Sequence, residues 1–150
     1  MNADALSFLK KLMQQPSPSG FEVPAQAVVR KRMEASADGV RADVHGNVIG
    51  ILNEKAPVKV MLAGHVDEIG LMITHVDANG FLFFAAIGGW DPLVAVGQRV
   101  SIAAARGAVP GVIGRKPIHL LDAAERDKGL KLDDLWIDIG VSSGKKAKKL

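Results

Sequence analysis

Apolar positions early in the chain recur at one spacing and then at another, and the change of period marks out the elements. Leu6, Leu9, Leu12 and Met13 fall three to four residues apart with Lys10, Lys11 and Gln14 opposite, which predicts an amphipathic helix over 3–15. Pro16-Ser17-Pro18-Ser19-Gly20 stops it as a turn-rich loop. Pro24 suits a first helical turn, and Val28, Arg32 and Met33 carry a second helical face over 22–36. The period then shortens. Residues 40–44 and 47–52 read as two strands joined by His45-Gly46, a tight hairpin signal. Residues 58–63, Val-Lys-Val-Met-Leu-Ala, are β-branched and apolar, as an inner strand of an α/β sheet should be.

After Gly70 the texture changes. Residues 71–76 and 81–86 flank Asp77-Ala78-Asn79-Gly80 as a second hairpin, and short strands follow at 99–103 and 108–113. Residues 121–127 and 142–149 read as helical, with a strand over 135–139 between them. Short strands at such spacing predict a small β-barrel or sandwich. The fold class is therefore α/β over 1–69 followed by a β-rich part over 70–150. Three short strands and two helices make a poor sheet by themselves, so an α/β part of this kind is expected to resume after residue 150.

Chemistry concentrates where the inner strand ends, at His65-Val66-Asp67-Glu68. Sites in α/β sheets form at the carboxyl ends of strands. His65 and Asp67 are two apart, so in extended backbone they point to one side. One ring nitrogen of His65 can then bind a metal while Asp67 holds the other, the usual support of a metal-bound histidine. A metal site needs further ligands. Asp67 and Glu68 are adjacent and face apart, which argues against paired carboxylates working across a sugar. His45 is assigned to turn geometry, His75 to a β surface or core, and His119 to a satisfied structural role among Ile118, Leu120 and Leu121. Phe83 and Phe84 face opposite ways, and Trp90 is left between lining a site and capping the β module. No Gly-x-Ser-x-Gly nucleophile motif occurs.

Composition narrows the classes. Zero cysteines among 150 residues exclude disulfides and thiolate ligands, leaving His, Asp and Glu. There is no long apolar run of membrane-spanning kind, and the N-terminus has an early acid rather than the charge pattern of a signal peptide. These features fit the cytoplasm. The net charge of +3, less the +4 of Lys145, Lys146, Lys148 and Lys149, leaves −1 for the residues before them. A basic groove would be spread over a face and interleaved with aromatics; this cluster is read as a solvated end, with no nucleic acid or membrane as partner.

Several segments, in order, resemble the M42 family of metallo-aminopeptidases, the tetrahedral and glutamyl aminopeptidase-like enzymes. They are Pro16-Ser17-Pro18-Ser19-Gly20-Phe21-Glu22, Asp43-Val44-His45-Gly46-Asn47 and Ala63-Gly64-His65-Val66-Asp67-Glu68-Ile69-Gly70. Gly114-Arg115-Lys116-Pro117-Ile118-His119-Leu120-Leu121 and Leu135-Trp136-Ile137-Asp138-Ile139-Gly140 complete the set. The resemblance implies the N-terminal part of a zinc-peptidase-like α/β catalytic domain over 1–69, then an inserted β-rich, PDZ-like or barrel dimerisation domain over 70–150. It implies two divalent metal ions per complete site, zinc or cobalt, hydrolysis of N-terminal residues from peptides, and homo-oligomers, dimers building dodecamers. His65 maps onto a metal ligand and Asp67 onto the catalytic acid that supports it; Glu68 is not the general base. The bridging aspartate, the glutamate pair, the later aspartate and the final histidine of that family would fall beyond Leu150. The expected function is thus an M42-type aminopeptidase whose 150-residue piece is inactive alone. The alternative is a non-catalytic oligomerisation module derived from such an enzyme.

Overall fold

The computed structural model describes residues 2–150, and the chain divides into two compact units, Met1–Glu68 and Ile69–Leu150. In the first unit, α1 (Ala3–Met13) starts where the Asn2 side chain accepts the N–H of Ala5, satisfying one of the orphan donors of a helix start. Helix α2 (Val23–Glu34) carries Pro24 in its first turn. The two are joined by a bidentate ion pair, Asp4 to Arg32, whose guanidinium also lies over the Phe8 ring. Strands β1 (Gly39–Ala42) and β2 (Val48–Ile51) pair antiparallel. Their turn is organised by Asp43, which accepts the backbone N–H groups of His45 and Asn47.

The inner strand expected over 58–63 is not realised. These residues pair with no strand among the described residues, and Val60, Met61 and Leu62 are 81%, 87% and 94% exposed. A strand exists only through neighbours that take its N–H and C=O groups. The only described sheet of this unit is the β1–β2 pair, so the apolar run stays unpaired and bare.

The second unit holds an antiparallel sheet of order β3-β4-β7-β6-β5, built from β3 (Gly70–Val76), β4 (Leu82–Ile87), β5 (Arg99–Ala104), β6 (Gly107–Arg115) and β7 (Leu135–Asp138). It is one open sheet with β3 and β5 as edges, where a closed barrel or a sandwich was expected. Alternation decides what is buried: Leu82 and Phe84 on β4, Ile113 on β6, and Leu135 and Ile137 on β7 form the core with Ala95 of α3 (Pro92–Ala95). Ile113, Leu135 and Ile137 are each 1% exposed, and burying such side chains stabilises by about 1.5–3 kcal/mol apiece. Phe83 faces the other way, where His75 meets its ring edge-on. Trp90 packs against the core and donates its indole N–H to the Gly70 carbonyl, so it acts as a structural cap. His119, in a 3-10 turn over Ile118–Leu120, is exposed rather than enclosed. Short helices α4 (Ala123–Asp127) and α5 (Gly144–Ala147) complete the unit.

Candidate functional site

Residues 61–67 carry no helix and pair with no strand among the described residues. His65 Nδ1 lies 2.7 Å from Asp67 Oδ1. Asp67 Oδ2 accepts the Ser19 hydroxyl at 2.6 Å. These bonds, Ser19 first and His65 second, hold the Asp67 carboxyl below its usual range. An ionised carboxylate only accepts, so Nδ1 carries the proton in this pair. In the neutral ring Nε2 is then the nitrogen with a lone pair, and it has no hydrogen-bond partner among the described residues. The His65 side chain is 85% exposed, and a shallow cavity of about 200 Å³ adjoins it, walled by Leu12, Met13, Ser17 and Val66.

The neighbouring loop is stitched to the motif by its backbone. Pro18 and Glu68 form an isolated parallel bridge. Glu68 N–H donates to the Ser17 carbonyl at 2.9 Å, and Ser19 N–H donates to the Glu68 carbonyl at 3.3 Å. The Glu68 carboxylate accepts the Ser17 N–H at 3.1 Å. Glu68 is thereby spent on the loop and does not join the His65–Asp67 pair.

The structure brings two of the sequence-predicted site residues, His65 and Asp67, into direct contact. No group of three or more His, Asp or Glu side chains that could hold a metal ion occurs among the described residues. The donor set fits one ligand and its support, and it falls short of a complete two-ion site. Ser19 was missed in the sequence as a member of this cluster: the loop carrying it was legible as a turn, but nothing in its pattern ties it to residue 67. No helix among the described residues is long and apolar enough to cross a membrane.

Known proteins of one kind resemble the chain. A family model described as M42 glutamyl aminopeptidase matches residues 46–150. Lysyl aminopeptidase of Pyrococcus furiosus is 37% identical over 145 residues, which is 95% of this chain and 41% of the relative. The crystal structure of a TET aminopeptidase from a marine sediment Thaumarchaeota archaeon superimposes with a TM-score of 0.92 at 37% identity, covering 99% of this chain and 42% of that one. A TET peptidase of Pyrococcus horikoshii that can assemble into a tetrahedron or a large octahedral shell matches with a TM-score of 0.83 at 36% identity, over 97% of this chain and 43% of that one. The chain thus spans about two-fifths of the relatives it matches.

Proposed function

Because the chain belongs to the M42 glutamyl aminopeptidase family, we propose that it is the N-terminal portion of a metal-dependent aminopeptidase and contributes one ligand side to that enzyme's metal centre. The carrying observation is the His65–Asp67 contact. Asp67 fixes the Nδ1 proton, and His65 presents Nε2 to an ion, zinc or cobalt. When bound in a complete site, such ions polarise the peptide carbonyl and lower the pKa of a water for attack. This chain's own residues orient the imidazole and hold its tautomer; the other ligands are supplied from outside residues 2–150. In this reading residues 1–69 are part of the catalytic domain. Residues 70–150 are the inserted PDZ-like domain through which subunits dimerise and build larger shells, and peptides are the substrate.

A second reading is favoured by one observation. The second unit completes a core of six buried apolar residues on its own, whereas Ala25 is the one buried apolar residue among the described residues of the first unit. The isolated chain would then act as an oligomerisation module without turnover.

A graft separates the two. Replacing the matching two-fifths of the Pyrococcus furiosus lysyl aminopeptidase with residues 1–150 should give a chimera that cleaves aminoacyl substrates with zinc or cobalt, and His65→Ala in it should abolish both turnover and stoichiometric metal uptake. A well-folded chimera whose activity and metal content ignore His65→Ala rules out the ligand assignment. The ungrafted chain should show no turnover with either metal; hydrolysis by it would sink the module reading and show the site to be complete.

A further inference from the structure

His65 is 85% exposed, so packing cannot hold its ring, and its orientation depends on hydrogen bonds alone. The bond to Asp67 is itself underdetermined. The last torsion of an aspartate is broad and nearly two-fold, and the half-buried Asp67 carboxylate still offers either oxygen to water or to the ring. One contact removes that freedom: the Ser19 hydroxyl donates to Oδ2 at 2.6 Å, the short length of a charge-assisted O–H bond, which leaves Oδ1 for His65 Nδ1. Ser19 is itself exposed, yet its place is set by its backbone. The Ser17–Glu68 pair of bonds and the Ser19 N–H to the Glu68 carbonyl anchor the residue on both sides, and Ser17 is 6% exposed. Beyond it, Gly20 takes φ +91° with open space around it, and Phe21 N–H closes the turn onto the Pro18 carbonyl at 2.7 Å.

We infer that Ser19 is a positioning residue, whose hydroxyl locks the Asp67 carboxylate and through it the Nδ1-protonated tautomer of His65. The loop after α1 is thus part of the site's support, acting over 48 residues of sequence. The inference rests on reading His65 as a metal ligand for its purpose, but its geometry can be tested without metal.

The test uses the 150-residue chain with 15N-labelled histidine, read by long-range proton–nitrogen correlation near pH 9, above the ordinary histidine range of about 6.5. Wild type should give widely separated His65 ring-nitrogen shifts, with the proton on Nδ1. In Ser19→Ala the two shifts should converge as the tautomers mix, and Ser19→Thr, which restores the hydroxyl, should restore the separation. Unchanged separation in Ser19→Ala overturns the inference. Convergence in both variants overturns it as well, since the hydroxyl is then not what sets the tautomer; displaced amides of residues 17–21 would trace the effect to a disrupted loop. Zinc chloride added to wild type tests the other premise separately: a selective response at Nε2 supports the ligand reading, and no response at His65 removes that reading while the tautomer comparison still judges Ser19.

Discussion

Gly144 shows how much of this molecule turns on single atoms. It is buried, its N–H donates to the Ala78 carbonyl at 2.9 Å, and a Cβ built on it would overlap the Asp77 carbonyl oxygen. That neighbour is backbone in a hairpin turn whose Asp77 side chain already accepts the N–H groups of Asn79, Gly80 and Phe81. Burial pushes the Asp77 carboxyl up, yet these bonds together hold it below its ordinary range, so the turn is not free to move aside. Gly144→Ala should therefore destabilise by about 1–3 kcal/mol, the ordinary cost of overpacking. Gly129 is the contrasting case: nothing lies within 4 Å of its virtual Cβ and its φ is not positive. Gly129→Ala should be neutral or stabilise by up to about 1 kcal/mol through the unfolded chain. Thermal unfolding followed by circular dichroism of both variants checks the pair; equal effects would mean that the close approach at Gly144 is not what matters there.

At the scale of elements, residues 58–63 matter most. Val60, Met61 and Leu62 are bare and the segment pairs with no strand among the described residues, so it lacks both packing and hydrogen-bonding neighbours. Exposed, apolar strands of this kind pair with other chains. In the 150-residue chain Val60→Lys should reduce self-association in sedimentation velocity while changing stability by no more than about 0.5 kcal/mol; association that ignores the lysine would place the sticky surface elsewhere. The same segment explains what could be read from sequence. Helices α1 and α2 and both hairpins were legible because their signals are local, in Leu6-Leu9-Leu12, in Asp43 with Gly46, and in Asp77 with Gly80. Pairing is not local. Leu135-Trp136-Ile137 alternates as a strand should, but nothing in it states that β7 lies between β4 and β6, and nothing in 58–63 states that it pairs with no strand among the described residues. The site divides the same way: His65 and Asp67 are two apart and visible together, whereas Ser19 reaches them only through the fold.

For the whole molecule, the two units are unequal in what they bury. Leu82, Phe84, Ile113, Leu135 and Ile137 close over one another in the second. In the first, α1 presents Leu6, Leu9 and Met13 at 41%, 41% and 72% exposure and α2 presents Val23 at 78%, and an exposed ion pair is weak compensation for an open apolar surface. Cooperative opening follows buried area, so the units should not exchange as one. Three aliphatic side chains at 1% exposure, at about 1.5–3 kcal/mol each, outweigh anything the first unit encloses. Amide hydrogen exchange should therefore find the Ile113 N–H, bonded to the Gln98 carbonyl at 2.9 Å, at least about ten-fold slower than the paired amides of residues 48–51. Protecting the first unit should require covering residues 58–63, as in the graft into the lysyl aminopeptidase, where exchange over 48–51 should slow while that at Ile113 barely changes. If both units of the ungrafted chain exchange at one rate, they unfold together, and the picture of a finished β module beside an open α/β portion is wrong.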